Sequence, residues 1–140
     1  MENSKQTITV EIVVKTPIEK TWESWTNPKH IVNWSFASED WHSPEAENDL
    51  RIGGKFRTKM AAKDGSASFD FEGKYTNVEK YKIIKYIIAD GREVAISFED
   101  LGESTKVTET FDPENIHSLE LQKDGWQAIL NNFKKYTETL

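Results

Sequence analysis

Leu119-Glu120-Leu121-Gln122-Lys123-Asp124-Gly125-Trp126-Gln127-Ala128-Ile129-Leu130-Asn131-Asn132-Phe133-Lys134-Lys135-Tyr136-Thr137-Glu138-Thr139-Leu140 closes the chain, and its spacing organises the rest. Leu119, Gln122, Trp126, Ile129, Phe133, Tyr136 and Leu140 follow one another in steps of three and four, and Leu130 widens the stripe. Only Gln122 in it is polar, whereas Lys123, Asp124, Asn131, Asn132, Lys135 and Glu138 fall on the opposite side. The pattern predicts an amphipathic helix, about 33 Å long at 1.5 Å per residue. Such a stripe serves an ordinary core, and its spacing also suits a short coiled-coil seam. Three aromatic rings on one side call for a broad partner surface. A curved sheet beneath such a helix can leave a cavity. Gly125, at a cost of about 1 kcal/mol relative to Ala inside a helix, points to a kink or a close backbone approach before Trp126.

Upstream, the chain supplies that sheet. Thr7 to Lys15 alternates, with Ile8, Val10, Ile12 and Val14 on one face, so it reads as a half-buried strand. Thr16-Pro17-Ile18-Glu19 has the form of a capping box with Pro at the first helical position. A short helix presenting Ile18, Trp22 and Trp25 follows, ended by Asn27-Pro28, and a second short turn of helix spans Lys29 to Trp34. Ser35 to Leu50 is irregular, part loop and part edge strand. Beyond Gly53-Gly54 a meander begins: strands at Lys55 to Ala62, Ser68 to Val78, Ile83 to Ala89, Arg92 to Glu99 and Thr105 to Phe111. Asp64-Gly65, Asp90-Gly91 and Gly102 mark the turns. The order predicts one α+β domain over residues 1–140: a curved antiparallel sheet, two short helices and the long C-terminal helix on one face. Alternation aims Phe56, Thr58, Met60, Phe69, Phe71, Tyr75, Ile84, Tyr86, Ile88, Val94, Ile96, Phe98, Val107 and Phe111 inward. Glu109 shares that face, and a bulge or a wet rim would turn it to solvent. Asp70 and Glu72 point outward.

Composition narrows the function classes. A hydrophobic content of 36% and a charged content of 30% describe an ordinary globule. No apolar run approaches the ~20 residues of a membrane span, so membrane insertion is not expected. Met1 to Gln6 has no signal-peptide core, which makes the cytoplasm the expected location. A net charge of -6 with scattered lysines argues against nucleic acid as a partner. Without cysteine there is neither a disulfide nor a thiol nucleophile.

Several runs resemble a known family. Trp22-Glu23-Ser24-Trp25-Thr26-Asn27-Pro28-Lys29-His30-Ile31, Asp49-Leu50-Arg51-Ile52-Gly53-Gly54-Lys55-Phe56, Phe71-Glu72-Gly73-Lys74-Tyr75, Val94-Ala95-Ile96-Ser97-Phe98-Glu99-Asp100 and Gly125-Trp126 resemble the heat-shock protein 90 ATPase activator homologue-like family. The resemblance runs from about Ile8 to the end. It implies the START-like (SRPBCC, Bet v 1-like) helix-grip fold, in which a curved sheet grips the last helix around a hydrophobic cavity. Many relatives carry Trp-Trp-Gly-Pro after the second short helix, where this chain has Trp34-Ser35-Phe36-Ala37.

Chemistry in sequence is sparse. Arg51-Ile52-Gly53-Gly54-Lys55 lacks the spacing of a phosphate loop. His30, His42 and His117 pair with no nucleophile in sequence. His42 with Glu45 is the nearest approach to a metal set and falls short of one, so no metal or cofactor is expected. The leading reading is a non-catalytic carrier of a small hydrophobic molecule, a lipid among the ligands considered. Its cavity is walled by Trp34, Phe56, Phe71, Tyr75 and Ile96 and closed by Trp126, Leu130 and Phe133. Tyr75 and His42 are the expected polar contacts. A polyketide-cyclase-type enzyme, needing an inward acid or base such as Glu109, is the second class. A chaperone accessory binding a protein partner is the third.

Overall fold

The computed structural model describes residues 6–140. Met1 to Lys5, most of the segment expected to lack a signal-peptide core, lie outside that range. Seven strands form one antiparallel sheet: β1 (Ile8–Val14), β2 (Trp41–Asn48), β3 (Lys55–Ala62), β4 (Ser68–Glu79), β5 (Ile83–Ile88), β6 (Glu93–Asp100) and β7 (Thr105–Phe111). Their spatial order is β1-β7-β6-β5-β4-β3-β2. From β2 to β7 each strand pairs with the next through a short connection, as the Asp-Gly turns predict. Gly65 (φ 80°) and Gly91 (φ 93°) take the left-handed conformation these turns need.

The first strand pairs with the last, so β1 and β2 lie at opposite edges of the sheet. Between them the chain crosses the concave face as α1 (Ile18–Thr26) and α2 (Pro28–Ile31). The long helix α3 (Leu119–Thr137) shares that face and packs chiefly against β1 and α1. Two bulges bend the sheet. One lies between His42 and Glu45 in β2, the other between Tyr75 and Asn77 in β4. The second inserts Thr76, so Tyr75 and Val78 rather than Tyr75 and Asn77 come to share the inner face. The result is the curled α+β helix-grip architecture.

The helix starts differ from the sequence reading. Thr16 does not cap α1; Pro17 holds the N-cap position without any side-chain bond. The Thr16 hydroxyl instead turns inward, 2.7 Å from Thr21 Oγ1, while Thr105 Oγ1 donates to the Thr16 carbonyl at 2.9 Å. All three threonines are buried. Buried hydroxyls require partners, and this cluster supplies them where a solvent-facing cap would not. Asn27 caps α2, its Oδ1 accepting from the Lys29 amide at 2.9 Å, with Pro28 at the first helical position. The second helix therefore starts one residue earlier than expected and stops at Ile31, though Ile31 and Trp34 are buried as expected.

Along α3 the stripe is buried only in its middle. Leu119 and Leu140 are exposed at the two ends, and the polar Gln122 is buried. Gln122 Nε2 donates to the carbonyls of Glu114, His117 and Ser118, and its Oε1 accepts from the Glu114 amide. It ties the incoming loop to the helix, which is why an amide replaces a hydrocarbon there. Gly125 sits in an unbroken helix, and a Cβ there would meet no atom within 4 Å. It therefore makes no close approach to another element.

Candidate functional site

The inner face of the sheet is not filled to its full width. Beneath α3 a chamber of about 300 Å³ remains. It is bounded by Trp25, Ile31 and Trp34 from the helical crossing, by Phe56, Phe71, Ile84 and Tyr86 from the sheet, and by Trp126 and Ile129 from α3. Ring packing sets the walls. Phe56 meets Tyr86 at 4.6 Å between centroids and Phe71 at 5.7 Å. Trp126 stacks on Phe111 at 3.8 Å and 11° and meets the edge of Phe71 at 6.1 Å. Opposite Phe56 in the ladder stands Gly73, whose absent Cβ would lie 2.9 Å from the Phe56 ring. Any side chain at 73 would displace that ring, so this glycine shapes the wall.

Of the expected lining residues, Trp34, Phe56, Phe71, Tyr75 and Trp126 face the chamber. Ile96, Leu130 and Phe133 do not line it. They are fully buried in solid core beside it, where α1 and α2 fill the space against the sheet. Trp25 and Trp34 set their rings against Phe133, each at 4.9 Å. His42 is also misplaced as a polar contact. It lies exposed just before the β2 bulge, at an edge of the sheet, and is not part of the lining. Half-exposed Phe69 is on the lining and on the predicted face, at the end of β4 nearest solvent.

The polar groups form two sets. In the first, Tyr75 Oη donates to Asn48 Oδ1, and Asn48 Nδ2 donates to the Thr26 carbonyl at 2.7 Å, joining β4, β2 and α1. Burial pushes the Tyr75 phenol well above its ordinary value, against the opposing pull of its bond to Asn48. Asn48 was missed because β2 lacks regular alternation.

The second set centres on Glu109, which is 5% exposed. Strict alternation aimed it inward, and neither a bulge nor a wet rim turns it away. The β7 ladder is regular here, with Glu109 between Val10 on β1 and Ile96 on β6. Val107 and Phe111 precede and follow it on the same face, and both are buried. The described residues make no hydrogen bond to its carboxyl, whose oxygens open onto the chamber. Desolvation alone raises its pKa from 4.5 to about 8. Tyr86, also lining the chamber, is raised well above 10.0 by burial and then by the nearby charge of Glu109. A carboxyl so placed can hold a proton near neutrality, donate it in a hydrogen bond, or carry a charge toward a ligand. Among the described residues no three His, Asp or Glu side chains converge as metal ligands, and no helix is long and apolar enough to cross a membrane.

Residues 15–138 match the model of the family described as Activator of Hsp90 ATPase homolog 1-like protein. The solution structure of an AHSA1-like protein from Aeromonas hydrophila is 44% identical, with a TM-score of 0.90 over 96% of this chain and 93% of that one. A protein from Cytophaga hutchinsonii is 54% identical, with a TM-score of 0.82 over 95% and 92%. One from Nitrosomonas europaea, at 16% identity, shares the fold with a TM-score of 0.82 over 99% and 97%. Among curated proteins no match was found.

Proposed function

The chain belongs to the family of Activator of Hsp90 ATPase homolog 1-like proteins, and from that premise we propose that it binds a small, mostly apolar molecule between α3 and the sheet. The observation that carries this reading is the aromatic chamber of about 300 Å³. That volume sits at the lower end of the roughly 300–1,000 Å³ range of small-molecule sites, and such sites likewise combine apolar walls with a few placed polar groups. Affinity comes from burial of the ligand's apolar surface at about 25 cal/mol per Å², and Tyr75, Asn48 and Glu109 orient it. Stimulation of a chaperone ATPase, which the family's name suggests, draws no support from a hollow interior. A second reading, acid–base catalysis of the polyketide-cyclase type in the same chamber, is favoured by one feature, the buried carboxyl of Glu109.

Native mass spectrometry of the chain purified from its own host tests the binding reading. A retained small molecule, lost when Ile129→Trp occupies the chamber, is the expected result. If the chain carries no adduct and no apolar probe dye binds the parent protein, the carrier reading fails.

A further inference from the structure

The position of Glu109 makes no sense as packing. Its four neighbours on the sheet face are Val10, Ile96, Val107 and Phe111, each at most 2% exposed. Alternation and burial both select a hydrocarbon there. A carboxyl at such a place costs the empty protein either the desolvation of a charge or a trapped proton. Violations of local rules that the fold itself does not repair concentrate at functional sites. What would balance it is a cation, and none of the described residues sets one against it. Arg92, the one basic residue on the lining among the described residues, turns its Nε to Asp90 Oδ2 at 2.8 Å. The other charged lining residues, Glu47 and Glu114, are acidic. Around this carboxyl the walls are rings, whose negative faces attract cations.

We propose that the chamber selects an organic cation, a protonated amine or quaternary ammonium on a compact apolar body, with Glu109 as its counter-ion and the aromatic rings as its walls. The proposal rests on the small-molecule reading above and narrows it to one ligand class. A cation entering the chamber replaces the proton on Glu109, so binding and deprotonation are linked. Below about pH 8 the carboxyl must first lose its proton, and apparent affinity falls with the ionised fraction. Other titratable groups facing the chamber are Tyr86 on β5, Tyr75 on β4, Glu47 on β2, Arg92 before β6 and Glu114 in the loop before α3. Both tyrosines stay neutral through this range, because burial raises them. Glu114, held low chiefly by the His117 amide, stays ionised. His117 contacts Glu114 at 2.9 Å, and the variant below reports any contribution from it. From α1, α2 and α3 no ionisable side chain lines the chamber.

The test uses benzyltrimethylammonium, which cannot titrate, and neopentylbenzene, its neutral isostere, each titrated into the full chain by two-dimensional NMR from pH 6 to pH 9. The expected result is tighter binding of the cation at pH 9. Its affinity should rise about tenfold per pH unit to about pH 8 and then level, while the isostere binds independently of pH. In Glu109→Gln, whose spectrum shows whether it is folded, the cation should lose about tenfold or more at pH 9 together with its pH dependence, and the isostere should bind as before. Isostere binding that equals or exceeds cation binding at every pH overturns the cation class and leaves the small-molecule reading standing. The parent profile alone decides this if the variant does not fold. Binding of neither probe overturns both.

Discussion

The two halves of α3 lie on one sheet and meet opposite interiors. In the C-terminal half Leu130, Phe133 and Thr137 are fully buried. Ser24 Oγ lies 2.7 Å from Thr137 Oγ1, and His30 Nδ1 lies 2.7 Å from Tyr136 Oη, so α1 and α2 are fastened to this half. In the N-terminal half Trp126 and Ile129 are only partly buried, and the sheet opposite them curves away around the chamber. Both halves carry the same kind of apolar stripe. What differs is the opposing layer, because the short helical crossing covers only part of the concave face. A hollow in this fold is therefore a property of what a helix is not given to pack against.

The largest expected effect concerns the carboxyl on the hollow side. Because Glu109 binds its proton more tightly folded than unfolded, its contribution to stability is fully present below pH 4.5. It is lost as the pH rises through about 8. At about 1.4 kcal/mol per pH unit the ceiling on that loss is on the order of 5 kcal/mol. Glu109→Gln should therefore unfold like the parent at pH 4.5 and resist urea better by a few kcal/mol at pH 9. Parallel curves for the two proteins across that range would show the carboxyl to be solvated.

Two tryptophan substitutions, one in each half, sharpen the contrast. Leu130→Trp enters solid core and should overpack it, costing about 1–3 kcal/mol in thermal or chemical unfolding. Ile129→Trp, one residue earlier, enters the chamber and should block probe binding with a much smaller loss of stability. Equal losses in the two variants would erase the distinction between a packed and a hollow half.

The smallest effect is at Gly125. Nothing lies within 4 Å of a Cβ placed there, so Gly125→Ala should stabilise the helix by about 1 kcal/mol. A destabilised variant would mean that the helix bends over the chamber at that point in solution.

The sequence by itself determined the architecture. Period-two alternation in β1 and β3 to β7, Asp-Gly turns and a stripe of period 3.6 are local signals, set by how neighbouring residues share a face, and each needs only a short window. Alternation also aimed Glu109 inward, and the regular β7 ladder kept it there. Only the tertiary structure decided where the interior is full. Phe133 and Trp126 are indistinguishable on the stripe, yet one meets Trp25 and Trp34 while the other closes a space. Asn48 and Tyr75 come together from strands separated in the chain, and His42 leaves the site because β2 bulges just after it at the sheet edge. Bulges, the reach of α1 and α2 across the face, and the curvature they produce depend on contacts between distant segments. No window of sequence contains those contacts.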